Sequence, residues 1–197
     1  MKKLGAIILS IAFASPAMAD DGWTVYLGAD TVDSTFSVSS DQTIFTGNNQ
    51  ASFRNTNDAE SKFNRLRLGV RLSESVGLEG HFGLEDDAAD AANGTAGVTE
   101  YYGLYLVPTA TVMDLFELAF PVGFSQVTVE MFDDSSTLRT FDTDGIAYGM
   151  NAELPLSRFI DIESWDLRLV AGGMVYQQDG SSRLYGVNFG LRGDFSF

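Results

Sequence analysis

NRLRLGVRLSESVGLEGHFGLE, residues 64–85, is the stretch whose reading decides the fold. Leu66, Leu68, Val70 and Leu72 alternate with Arg65, Arg67, Gly69 and Arg71, so an extended chain would carry one aliphatic face and one cationic face. A short turn at residues 73–75 reverses the direction. Beyond it, Val76, Leu78, Phe82 and Leu84 share one face, and Gly77, Glu79, His81, Gly83 and Glu85 share the other. Paired as a hairpin, the two strands set arginines against glutamates on the same side of the sheet. A soluble sandwich would leave such a face in water, where matched signs are not needed. Matching points to an enclosed polar interior, because buried charge is costly unless paired. The pattern therefore predicts a barrel with its apolar side chains turned outward to lipid.

The same period of two recurs on both sides of this hairpin. Val25 and Leu27 alternate with Thr24, Tyr26 and Gly28. After a polar stretch from about Thr31 to Ser61 comes the arginine strand itself. Further on, Phe116, Leu118, Phe120, Val122 and Phe124 oppose Glu117, Ala119, Gly123 and Ser125, with Pro121 predicting a bulge or a broken pair because it cannot donate to the ladder. Ile146, Tyr148, Met150, Ala152 and Leu154 oppose Ala147, Gly149, Asn151 and Glu153, and Trp165, Leu167, Leu169, Ala171 and Val175 oppose Asp166, Arg168, Gly172 and Met174. The strand at 98–107 has aromatic residues on both faces, and its facing stays open. Together these segments predict an all-β, closed, antiparallel up-and-down barrel of about eight strands, with long extracellular loops and short periplasmic turns.

The chain opens with Lys2 and Lys3, an apolar run from Leu4 to Phe13 and the small-residue exit Ala17-Met18-Ala19. This is the pattern of a cleaved secretory signal spanning 1–19, with Ala17 and Ala19 setting a cleavage before Asp20, which leaves 20–197 as one barrel domain. The run is too short for a spanning helix. Cysteine is absent, so no disulfide framework or thiolate metal site is available to an exported protein. The formal net charge of −15 argues against nucleic acid as a partner.

The last strand reads YGVNFGLRGDFSF, residues 185–197, with Tyr185, Val187, Phe189, Leu191, Phe195 and Phe197 on one face. Ending on an aromatic is expected of a barrel strand. In this strand and in DGIAYGMNAE, residues 144–153, the chain resembles the small outer-membrane β-barrel family that includes the transmembrane domain of outer membrane protein A. The resemblance implies a Gram-negative outer-membrane, porin-like barrel. It further implies a C-terminal assembly signal on Phe189, Leu191, Phe195 and Phe197, read by the barrel-assembly machinery, with outer-membrane lipids and lipopolysaccharide as surroundings. A monomer is expected.

Parity places an interior charge network at Arg65, Arg67, Arg71, Glu79, His81, Glu85, Glu117, Glu153, Asp166, Arg168, Arg192 and Asp194. An eight-strand barrel is just wide enough for side chains to fill, which favours a structural plug over a narrow pathway for ions or small solutes. His81 with Glu79 could form a catalytic pair, and some barrels of this size act on lipid A. A lipid-directed enzyme would need that histidine on the outer face, whereas parity puts it inside, so no catalytic residue is expected. Glu85, Asp86, Asp87 and Asp90 could gather a divalent cation, but they lack the ordered ligand spacing of a calcium loop and read as a solvated acidic turn. No cofactor or metal is expected. The readings left are a non-enzymatic structural or surface-interaction barrel and, as the alternative, a small transporter or narrow pore.

Overall fold

The computed structural model describes residues 24–38, 43–46, 49–52, 59–91, 94–113, 115–132, 138–159, 165–180 and 182–196. Long antiparallel strands account for almost all of them: β1 (Thr24–Val38), β4 (Ala59–Ser73), β5 (Val76–Ala91), β6 (Gly94–Val112), β7 (Phe116–Ala119), β8 (Val122–Phe132), β9 (Leu138–Pro155), β10 (Asp166–Gln178) and β11 (Ser182–Ser196). A separate small hairpin, β2 (Thr43–Thr46) with β3 (Asn49–Ser52), lies in the connection after β1. The sheet runs β10-β11-β1-β4-β5-β6, continues through β7 and β8 to β9, and closes where β9 pairs with β10. No strand of the ring is thereby left as an edge strand, which lipid requires of any structure that spans it.

β7 and β8 form a single stave interrupted at Phe120 and Pro121, so nine strands make eight staves. The break is the one expected of Pro121. It does not disturb register: Ala119 pairs with Asn151 before it and Val122 with Tyr148 after it, in step. The Pro121 carbonyl still accepts from the Gly149 amide at 2.9 Å, and only the return bond is missing.

Facing follows the alternation except at the bulge in β10, where Val175, expected on the outer face, is buried together with Tyr176 and Gln177. Leu27, Leu66, Leu104, Leu106, Val122, Phe124, Ile146, Met150, Val187, Phe189 and Leu191 are exposed on the outer wall. The strand left open by sequence is settled, with Tyr101 and Tyr105 buried inside and Leu104 and Leu106 outside. Near the termini Trp165 stacks on Phe195, ring centroids 6.1 Å apart, and at the other end Tyr148 and Tyr185 stand on the wall. From Phe195 to Tyr185 is ten residues of strand, about 33 Å along the chain and about 25 Å after the usual tilt, the height of an apolar band between aromatic girdles.

The strands run further than the alternation marks. β1 continues to Val38 and β4 starts at Ala59, so residues assigned to a polar stretch from Thr31 to Ser61 are in part paired strand. β5 and β6 similarly continue as a ladder through Ala91 and Gly94. Outside lipid both faces of a strand can be polar, and pairing then leaves no hydrophobic period to read.

Small residues make room inside. A Cβ at Gly69 would overlap the Tyr26 ring, and one at Gly77 would lie 2.6 Å from the Tyr26 hydroxyl, so this inward tyrosine is seated on two strands that give up their side chains to it. Residues Ala17, Ala19 and Phe197 lie outside the described residues.

Candidate functional site in the barrel interior

The inward side chains stack in storeys. Nearest the termini, Glu117 on β7 accepts from Arg71 of β4 at 2.6 Å and faces Arg168 of β10 at 3.3 Å. Arg168 also reaches Asp166 at 2.9 Å and Asp194 of β11 at 3.3 Å. Arg71, Glu117, Asp166 and Arg168 are partly exposed, and Asp194 is buried.

The middle storey is buried. Arg67 makes a two-pronged contact with Glu79, Nε–Oε2 3.1 Å and Nη2–Oε1 2.9 Å, and its Nη2 also reaches Glu153 at 3.3 Å. Arg192 forms an ion pair with Glu153 and a two-pronged contact with Asp194 at 2.7 and 2.8 Å. Its guanidinium lies 4.5 Å over the ring of Tyr26. Arg65 holds both oxygens of Asp30, at 2.8 and 2.7 Å. His81 bonds through Nε2 to Glu79 at 2.6 Å, has Arg65 Nη1 3.4 Å from Nδ1, and stacks on Tyr105 at 4.1 Å between centroids. Both its ring nitrogens are occupied.

The structure thus brings eleven of the twelve expected interior residues to the lumen in mutual contact, through β4, β5, β7, β9, β10 and β11. The side chain of the twelfth, Glu85, lies outside the described ones, as do those of Asp86, Asp87 and Asp90. Sequence reading missed Asp30, the sole described carboxylate on Arg65. The signal was available: Asp30 continues the inward parity of Tyr26 and Gly28, one residue before the polar stretch begins at Thr31.

It also missed the upper storey. Phe63, Tyr101 and Tyr176 meet with centroids 5.6 to 5.7 Å apart, and the Tyr101 hydroxyl bonds to that of Tyr105. Val32, Phe36, Val98, Val127, Val129 and Leu184 close around them. Here apolar residues sit on the inward parity, so the interior is charged in one half and aromatic in the other. Arg65 joins the halves, its guanidinium 5.2 Å from the Tyr176 centroid and 3.0 Å from the Met174 sulfur.

Arg65, Glu79, His81, Glu153, Tyr101, Tyr105 and Tyr176 have no solvent-accessible surface at all. A water-filled channel would touch some of them. These seven side chains line no water-filled channel.

A closed ring of strands, apolar outside and ion-paired inside, defines a transmembrane β-barrel of the outer-membrane kind. No family model matches the chain, and no curated protein matches it in sequence. Solved structures do. Ail, the attachment invasion locus protein of Yersinia pestis, in complex with the heparin analogue sucrose octasulfate, is 11% identical with a TM-score of 0.55, covering 88% of this chain and 99% of Ail. The N-terminal barrel domain of Pseudomonas aeruginosa OprF is 11% identical with a TM-score of 0.53, covering 87% and 97%. OprG of the same organism is 12% identical with a TM-score of 0.51, covering 89% and 95%. The fold is that of the small outer-membrane barrels, and its apolar outer wall is the one such a membrane requires.

Proposed function

We propose that this protein is a non-enzymatic barrel whose interior is a structural plug and whose work is done at its surfaces, rather than a transporter or pore. The observation that carries the reading is the dry middle storey. Three arginines and the carboxylates that hold them are buried in the lumen, under a lid of packed aromatic rings. An ion crossing there would have to break several two-pronged contacts at once, and each carboxylate left unpaired would be costly.

A non-catalytic role is supported by His81. Glu79 and Arg65 engage its two nitrogens, and Ser125, an inward serine, donates instead to the Tyr176 carbonyl. No serine, substrate or lipid can reach the imidazole without dismantling the network. The Yersinia pestis neighbour was crystallised with a polyanion, but this chain's formal charge of −15 speaks against a ligand of that kind. Barrel-assembly machinery during biogenesis and lipopolysaccharide in the mature membrane are the partners proposed.

Reconstitution into a planar bilayer tests the plug. Purified protein at saturating insertion should leave the membrane silent. Reproducible single-channel steps, altered by Arg67→Gln, would instead establish the pore. Unchanged lipid A in an overexpressing strain is the matching expectation for a non-enzyme.

A further inference from the structure

The barrel does not end in a level rim. β9 pairs with β8 over its whole upper length, from Leu138 with Phe132 down to Tyr148 with Val122. On its other side β10 reaches only to Gln178, which stands opposite Ile146. Beyond that pair β10 gives way to β11, while β9 extends through eight further residues, Leu138–Gly145. Among the described residues no strand pairs with that stretch on the β10 side. It lies past the aromatic girdle at Tyr148, so about 26 Å of strand edge stands open outside the lipid, at the end remote from the termini.

One bond fixes the direction of the groups along this edge. The Gly149 amide donates to the Pro121 carbonyl, so odd-numbered residues of β9 turn their backbone groups toward β7 and β8. Even-numbered residues turn theirs the other way. Ile146 is the last of these opposite β10, and the Asp144 carbonyl accepts from the Gln177 side chain at 3.5 Å. Thr140 and Asp142 therefore each present an amide and a carbonyl to the open side, with no ladder partner there among the described residues. Such groups are a template for another extended chain.

The outward side chains decide which chain can lie there. Even positions of β9 face outward, and in the open stretch these include Thr140, Asp142 and Asp144, all exposed. Glu130, opposite Thr140 on β8, accepts from the Thr140 hydroxyl at 3.3 Å, and Asp142 accepts from Thr128 at 2.8 Å. Hydroxyls orient these carboxylates but do not neutralise them. Among the described residues no cation pairs with Glu130, Asp142 or Asp144. Arg139 occupies an odd position, and Arg183 stands on β11, beyond β10, over the Tyr185 ring. The edge is acidic on the face that a neighbouring strand would share.

A second copy of this chain does not fit. Two barrels in one membrane, related by an axis along its normal, would cross their β9 strands at about 80°, twice the usual tilt, and no ladder forms at that angle. An antiparallel meeting centred on Asp142 would also set that carboxylate against its own copy, a destabilising pair. The β2–β3 hairpin carries no basic residue and, among the described residues, pairs only with itself. A basic strand meets both demands, since a lysine opposite Asp142 supplies ladder bonds from its backbone and charge from its side chain. We propose that Leu138–Gly145 is a docking edge for an extended polypeptide segment carrying Lys or Arg at alternate positions. This gives the surface role proposed above a partner and rests on that reading.

Amide hydrogen exchange, read by NMR on the barrel in nanodiscs, tests this with three end-capped octapeptides. One alternates lysine with threonine, one alternates glutamate with threonine, and the third is the lysine peptide with its lysine backbone nitrogens methylated. The lysine peptide should slow exchange at Thr140 and Asp142 and leave the Phe141 and Thr143 amides, which face β8, unchanged. The other two should bind about tenfold more weakly, one for want of charge and one for want of ladder donors. Asp142→Asn combined with Asp144→Asn should remove the preference for lysine over glutamate. Thr140→Pro, whose lost amide faces the open side and spares the β8 ladder, should weaken the lysine peptide. Equal binding of the lysine peptide and its methylated form would reduce the contact to charge attraction and overturn the inference. Slow exchange at Thr140 and Asp142 before any peptide is added would also overturn it, because another segment of this chain or a second copy would then cover the edge. The wild-type peptide series decides alone if a variant misfolds. Neither overturning result touches the plug, which the conductance measurement decides separately.

Discussion

Arg67 faces three acidic side chains from three strands: Glu79 on β5, Glu153 on β9 and, at 4.0 Å, Asp30 on β1. Its charge is therefore shared, and its removal strands more than one carboxylate in a dry interior. Arg67→Ala should lower the stability of the folded barrel by about 3 to 5 kcal/mol, read as a fall in the urea midpoint in lipid vesicles. An unchanged midpoint would contradict a buried, paired network. A second residue carries strain of another kind. Met113, in the turn between β6 and β7, has a φ of 53° and is almost fully exposed, so it takes the left-handed conformation with no packing to compensate. Met113→Gly should stabilise by about 1 kcal/mol in the same assay, the cost that a side chain imposes there.

At the scale of the strand, legibility depended on what each face meets. β4 and β11 were readable because one face meets lipid and the other charge, so Leu66 and Arg67, or Phe189 and Arg192, fall into opposite classes. The upper half of β1 was not. Val32, Ser34 and Phe36 point inward there while Asp33 and Thr35 line the outer rim, which inverts the usual polarity and looks like a loop. The aromatic storey was hidden for the same reason, since Tyr101 and Tyr105 alternate with Tyr102 and Leu104, and residue type does not separate the faces. The contact between Arg65 and Asp30 needs the β1–β4 register, in which the two residues stand opposite each other, and periodicity alone does not supply it. Phe189, near the centre of the apolar face of β11, gives a direct check on facing. Phe189→Arg should destabilise by about 2 to 4 kcal/mol, as expected for a cation at the bilayer midplane, whereas Arg183→Gln at the rim should stay within about 1 kcal/mol of wild type. Comparable costs at the two positions would mean that the wall is not where the girdles place it. Pro121 is the contrasting case, a disruption of one ladder bond that leaves register intact, so Pro121→Ala should change stability by less than about 1.5 kcal/mol in either direction, the gain of a hydrogen bond opposing the loss of proline's rigidity.

For the whole molecule, the seam between β1 and β11 joins the two ends of the described chain through fifteen paired positions, from Thr24 with Ser196 to Val38 with Ser182. The interior network crosses the same seam. Arg192 of β11 covers Tyr26 of β1 and completes Glu153 of β9, while Asp30 of β1 completes Arg65 of β4. A sheet that has not yet met its last strand therefore presents open edges and unmatched charge together, and the bilayer rejects both. Closing the seam completes the backbone ladder and the last of these ion pairs together. Half-built barrels have nowhere to rest in the membrane, so residence there should be all or nothing: chains shortened by β11 should fail to accumulate in the outer membrane at all, instead of persisting as leaky partial sheets.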